Sequence, residues 1–222
     1  MKEDAKTILD RWRDTGWVIE PEARKVLKLY GLYTAPYSWA MTAEEAVKGA
    51  GKIGYPLVAK IVSADIIHKS DVGGVVVGVR DDKELLAVFT RLSSLQGFQG
   101  VLLDEMQSGF ELIIGSKHDP QFGPVVLIGI GGTSVEIYQD VAIRMAPVTV
   151  KEAKEALLSL RGSRLMQGYR GKPAINMGSI ANLIAKFSEM VYDLRGRISS
   201  IDLNPVMCSS RKAVIADARI VL

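Results

Sequence analysis

The 222-residue chain has one cysteine, Cys208, and two histidines. A single thiol excludes an intrachain disulfide framework and any multi-cysteine metal site. No apolar run approaches the ~20 residues of a membrane span. The first six residues, Met1 to Lys6, are charged and have no apolar signal core behind them, so a reducing cytoplasm is the expected location, with no membrane partner. Aromatic residues make up 7% of the chain and are not interleaved with basic clusters, and the net charge is only +3, so nucleic acid is not an expected partner. G-x-x-x-x-G-K-[ST], H-E-x-x-H and G-x-S-x-G are all missing, which disfavours a P-loop enzyme, a zinc protease of that type and a nucleophile elbow. Gly129-Ile130-Gly131-Gly132 is only a fragment of a dinucleotide fingerprint and reads as a turn.

Hydrophobic residues at 48% and charged residues at 24% suffice for a sizeable soluble core. Apolar residues at helical spacing predict helices over residues 4–14, from Glu20-Pro21-Glu22 to Gly31, from Thr42 (with Glu45 in a capping box) to about Gly51, from Asp81 or Asp82 through Leu92, over 149–160 and over 179–194. Strands are expected at 37–40, 57–62, 75–79, 100–106, 110–115, 125–130, 197–205 and 213–218. Residues 161–171 are basic and glycine-rich and match no element. The sum is an α+β protein of two lobes, divided as 1–19 (helical extension), 20–99 and 100–222.

The most informative stretch runs from Lys60 to Val75. An apolar strand feeds a polar loop, which closes on Gly73-Gly74 before the strand from Val75. Glycine N–H groups can approach an anion closely, and Lys60 and Lys69 can neutralise phosphate. His68 lies where a phosphate could reach it, and a neutral imidazole is a nucleophile toward phosphorus. A loop histidine bonded for structure is the alternative, and the residues alone leave both open. Lys60 has apolar neighbours on both strand faces, which favours a partly buried ammonium in need of an anion. Glu105 and Glu111, at the end of one strand and the start of the next, suit either nucleotide contacts or solvation. Asp202 and Asn204 share a strand face, and Asp217 on the next strand completes an oxygen donor set suited to magnesium, with Glu136 a further candidate. His118 reads as a structural turn residue and Cys208 as inert.

Ile66-Ile67-His68-Lys69-Ser70-Asp71-Val72-Gly73-Gly74-Val75 resembles the signature of the ATP-grasp subunit of ADP-forming acyl-CoA synthetases. Glu111 to Gly115 followed by Asp119 to Pro124, Gly131-Gly132 through Glu136, and Asp202-Leu203-Asn204-Pro205 are similar to the same family, and the likeness covers residues 20–222. It implies an ATP-grasp fold, with the nucleotide between two α/β lobes. It also implies the reaction acyl-CoA + ADP + phosphate ⇌ acid + ATP + CoA. In such enzymes a CoA-binding α subunit carries the first phosphohistidine, commonly in an α2β2 heterotetramer. By resemblance His68 is the second phosphohistidine and Lys60 the phosphate lysine. Gly73, Gly74 and Val75 form the phosphate loop, Glu105, Met106 and Gln107 the adenine-side hinge, and Glu111 faces the nucleotide. Asn204 and Asp217 are the Mg2+ ligands for ADP/ATP. Asp202 stands where many relatives carry glutamate, one methylene longer. The alternatives are another ATP-grasp carboxylate ligase and a non-catalytic nucleotide-sensing module.

Overall fold

The computed structural model describes residues 2–132 and 140–222. They form two compact units, one of Ile19–Pro21 and Ala35–Gln107, the other of Met1–Val18, Glu22–Thr34 and Ser108–Leu222. Glu136 lies outside the described residues.

The smaller unit holds β2 (Tyr37–Ala40), α3 (Ala43–Ile53), β3 (Leu57–Ser63), β4 (Val75–Val79), α4 (Asp82–Ser93) and β5 (Phe98–Glu105). Its four strands run in the order β2-β5-β3-β4, every neighbour antiparallel. Leu85, Val88, Phe89 and Leu92 recur at helical spacing on α4 and are buried with Leu57, Ala59, Ile61, Val101 and Leu103 of the sheet. Thr42 caps α3 by accepting from the Glu45 N–H at 3.2 Å. The Glu45 carboxylate reaches back to the Met41 N–H rather than that of Thr42, so the expected box is displaced by one residue.

In the larger unit are α1 (Glu3–Arg11), β1 (Trp17–Val18), most of α2 (Glu20–Leu29), β6 (Phe110–Asp119), β7 (Gly123–Ile130), β8 (Val141–Met145), α5 (Val150–Ser159), α6 (Ser163–Met166), α7 (Met177–Asp193), β9 (Ser200–Cys208), β10 (Ala213–Ile215) and β11 (Arg219–Val221). Among the described residues the strands form one sheet in the order β1-β11-β9-β6-β7-β8, with β10 paired to β9. Leu112 and Ile114 of β6, Val126 and Ile128 of β7 and Ile201 and Leu203 of β9 share one core with Ile180, Ile184, Phe187 and Val191 of α7. The alternate residues Glu111, Lys117 and Asn204 are exposed, as a half-buried sheet requires. The reciprocal box that starts α5 pairs Thr149 with Glu152.

The units divide the chain differently from the sequence expectation. The strand at 100–106 belongs to the smaller unit because β5 pairs with β2 on one side and β3 on the other. The N-terminal stretch is no separate extension. Ala5, Leu9 and Val18 lie in the core of the larger unit, and β1 pairs with β11. The last expected strand splits at Ile215, which leaves Asp217 in the link to β11.

Candidate functional site

β3 occupies an interior position of its sheet, which explains why a lysine on it is buried. Lys60 faces Leu102 across the β3–β5 ladder and Val75 across the β3–β4 ladder, and Asp104 lies two residues beyond Leu102 on the same face. The Lys60 ammonium is 3.0 Å from an Asp104 carboxylate oxygen and 3.0 Å from Glu20 Oε1. All three residues are nearly excluded from solvent: Lys60 at 6%, Glu20 at 6% and Asp104 at 3%. The other oxygen of Glu20 accepts from the Lys69 ammonium. Two carboxylates and two ammonium groups thus form a chain of ion pairs running from the interior strand to the loop beyond it.

The sequence pointed to an anion for Lys60, and the structure supplies that anion from within. Neither Glu20 nor Asp104 was among the expected site residues. Glu20 read as an acid at a helix start, and nothing local signals partners 40 and 49 residues away. Asp104 could be found only through strand register.

Residues 64–74 link β3 to β4 and carry His68. Its ring is exposed and, among the described residues, takes no hydrogen bond. Lys69–Val72 form a single 3-10 turn, and Gly73 takes the left-handed conformation that closes it, φ +65°. The Gly73 N–H donates to Ser70 O at 3.1 Å, the Gly74 N–H to Lys69 O at 2.7 Å, and Gly74 O accepts from the Ile61 N–H at 2.8 Å. The glycine N–H groups therefore do not form the expected open anion nest, because the turn's own carbonyls already take them. Gly74 is required sterically, since a Cβ there would stand 2.6 Å from Ile61 Cγ2 and 2.8 Å from Lys69 O. Val75 lies in the ladder opposite Lys60.

Glu105 ends β5, its N–H bound to Pro36 O at 2.9 Å and its carboxylate accepting from the Gln107 amide at 2.7 Å. Met106 between them is 43% exposed. In the larger unit, Glu111 O accepts from the Gly131 N–H at 2.7 Å.

Asp202 and Asn204 lie on the open side of β9, as alternation predicts. Asp202 stands opposite Arg219 in the β9–β11 ladder, with 3.6 Å between their charged groups. A hydrogen bond of 3.0 Å from the Ala216 N–H to Pro205 O brings the link holding Asp217 beside the Asn204 segment. Among the described residues, no three His, Cys, Asp or Glu side chains cluster as a metal cage. An amide and a carboxylate oxygen in adjacent segments nevertheless fit magnesium, which usually takes one or two protein carboxylates and completes its shell with phosphate and water. Cys208 is buried, and burial pushes its thiol pKa up to about 12, so it is unreactive. Among the described residues no helix is long and apolar enough to cross a membrane.

A family model described as ATP-grasp domain matches residues 11–222. The class of protein is thereby set: two mixed α/β units with an antiparallel sheet in each. The β subunit of acetate–CoA ligase (ADP-forming) I of Pyrococcus furiosus is 40% identical over 213 residues, covering 92% of this chain and 91% of that one. The acetate–CoA ligase (ADP-forming) II of Archaeoglobus fulgidus is 40% identical over 206 residues, which are 92% of this chain but 30% of that longer one. The acetyl-coenzyme A synthetase 1 of Ca. Korarchaeum cryptofilum, solved with coenzyme A and Ca-AMPCP, superposes with a TM-score of 0.92 at 32% identity, covering 98% of this chain and 99% of that one. Another structure of that enzyme, with coenzyme A and Mg-AMPPCP, has its phosphohistidine segment pointing towards the nucleotide binding site. The chain belongs to the ATP-grasp family, in its branch of ADP-forming acetate–CoA ligase β subunits.

Proposed function

We propose that this chain is the nucleotide-binding subunit of an ADP-forming acyl-CoA synthetase, an acid–thiol ligase, and that His68 relays a phosphoryl group between a CoA-binding partner and ADP. The observation that carries this reading is the state of His68. Its ring is solvent-exposed on a turn braced by backbone hydrogen bonds, with the Lys69 ammonium on the next residue. A structural histidine would show a buried, bonded ring, whereas a carrier needs an open one. Relatives that occur both as a separate β subunit and as a longer single chain fit a function completed by a second component. We extend the proposal to an α2β2 assembly in the cytoplasm.

In the direction of ATP synthesis an imidazole nitrogen of His68 attacks the phosphoryl group carried on the partner's phosphohistidine, and the partner's P–N bond breaks as the new P–N bond to His68 forms. That bond breaks as the terminal oxygen of ADP forms the new P–O bond, and the imidazole returns to its resting state. Such a transfer depends on positioning and charge neutralisation rather than on further covalent steps. Lys69, beside the ring, holds charge against the phosphoryl oxygens, while Lys60, expected by resemblance to serve the nucleotide phosphates, is instead held by Glu20 and Asp104 and supports that segment from the sheet. Gly73, Gly74 and Val75 shape the turn. Glu105, Met106, Gln107 and Glu111 contact the nucleoside. Asn204 and Asp217, with Asp202 beside them, hold Mg2+, which supplies charge neutralisation on the phosphates.

The test uses the complex of this chain with its partner. Radiolabelled ATP and Mg2+ should place an acid-labile, base-stable label on this chain, and His68→Asn should abolish both the label and ATP synthesis. Undiminished ATP synthesis by His68→Asn would refute the relay.

A further inference from the structure

Glu20 touches both the buried strand lysine and the lysine adjoining the proposed relay histidine, through one oxygen each. It is 6% exposed, and the Lys69 side chain it holds is 16% exposed, although His68 next to it is open to solvent. The turn is otherwise anchored to the sheet at its far end, where Gly74 O accepts from Ile61 N–H. On the His68 side, Ser63 Oγ donates to Gln96 O at 2.9 Å and accepts from the Asp65 N–H at 3.1 Å, which fixes the exit from β3, and Ile66 packs against the core of the smaller unit. The Glu20–Lys69 pair is a part-buried side-chain tie at the residue beside His68.

We propose that Glu20 is a positioning residue for the phosphoryl relay: through Lys69 it fixes the segment that carries His68, and through Lys60 it ties that segment to the sheet. Glu20 itself touches no reacting atom. The proposal rests on His68 being the carrier and adds to that reading a residue it does not contain. Two consequences follow from the charges. In this arrangement Glu20 neutralises Lys69, so a phosphoryl group on His68 competes with Glu20 for the same ammonium. Phosphorylation therefore weakens the tie and frees the segment, whereas loss of the phosphoryl group restores it. Lys60 keeps Asp104 as a partner throughout, so the sheet end of the chain stays closed while the loop end opens and shuts.

The experiment uses the complex with its partner and measures, in single turnovers with radiolabelled ATP and Mg2+, the rate at which label reaches His68. Nucleotide affinity is measured separately, and amide hydrogen exchange is followed across residues 64–74. Glu20→Gln should slow labelling about 10-fold or more while changing the dissociation constant for ATP less than about 3-fold, a range expected from removal of one charge-assisted bond. Exchange in 64–74 should accelerate in Glu20→Gln and in Lys69→Met, with that of β5 unchanged. Lys69→Arg, which keeps the charge, should retain most of the rate. In a Lys69→Met background, adding Glu20→Gln should slow labelling less than about 3-fold further, because the tie is already gone.

Independent, multiplying effects of the two substitutions would overturn the proposal, as would a normal labelling rate in Glu20→Gln. Should Glu20→Gln fail to fold, Lys69→Met still decides the matter through local exchange, and unchanged protection of 64–74 would overturn it. Failure of the relay itself looks different: His68→Asn would then remain active whatever Glu20 does.

Discussion

Replacing Asp104 by asparagine removes one of two carboxylates from a buried ammonium and changes almost no volume. Asp104 is 3% exposed and Lys60 6% exposed, so solvent offers the lysine little compensation. Breaking a buried ion pair by removing one partner destabilises by about 3–5 kcal/mol, chiefly because a charge is left uncompensated. Here Lys60 keeps Glu20 at 3.0 Å, but Glu20 is already shared with Lys69. The expected loss is therefore at the low end, about 2–3 kcal/mol, or a fall in Tm of roughly 4–12 °C for a chain of this size. Lys60→Met should destabilise more, about 4–5 kcal/mol, since it leaves Asp104 without its ammonium among buried neighbours. Lys60→Met combined with Asp104→Leu should recover much of the loss, because an apolar pair needs no compensation. Differential scanning calorimetry and urea unfolding of the parent, both single variants and the double variant read these differences. A parent-like Tm for Asp104→Asn, or a double variant as unstable as the two singles summed, would refute the argument that Lys60 and its carboxylates stand or fall together.

Two further outcomes follow from other parts of the chain. Gly74→Ala should destabilise by about 1–3 kcal/mol, since its methyl group would overlap Ile61 in the core and the Lys69 carbonyl, with calorimetry as the check. For Cys208 the folded pKa is raised to about 12 by burial, above the ordinary ~8.5 of an unfolded thiol, so its stabilising contribution is complete below pH ~8.5 and is lost as pH rises toward 12. That loss is about 1.4 kcal/mol per pH unit, absent in Cys208→Ala, and native protein at pH 8 should resist alkylation that unfolded protein undergoes.

What the sequence makes legible is what local physics decides. Leu85, Val88, Phe89 and Leu92 declare a helix because their spacing is complete within three turns, and Thr149 with Glu152 declares its start within four residues. β1 and β11 are too short, at two and three residues, for any alternation to register, and they exist because each pairs with a distant strand. The same distinction separates the two halves of the site. His68 and Lys69 are visible because their neighbours in sequence carry the pattern. Glu20 and Asp104 are invisible because each acquires its meaning from a lysine that only the fold brings near.

The glycine pair shows how a correct motif can carry a mistaken physical reason. Two adjacent glycines after a lysine and a histidine suggest open N–H groups facing phosphate, yet both N–H groups are donated inside the turn, to Ser70 and Lys69 carbonyls. Their necessity is steric and conformational: Gly73 supplies a left-handed residue, and Gly74 lets the chain pass against Ile61. On the proposed relay, charge at His68 would then be answered by side chains rather than by a backbone nest. Side chains can exchange partners, whereas a backbone nest is fixed once the turn is made. If His68 is the carrier proposed above, the exchangeable kind serves it better, and the Glu20–Lys69 ion pair supplies such an ammonium beside it.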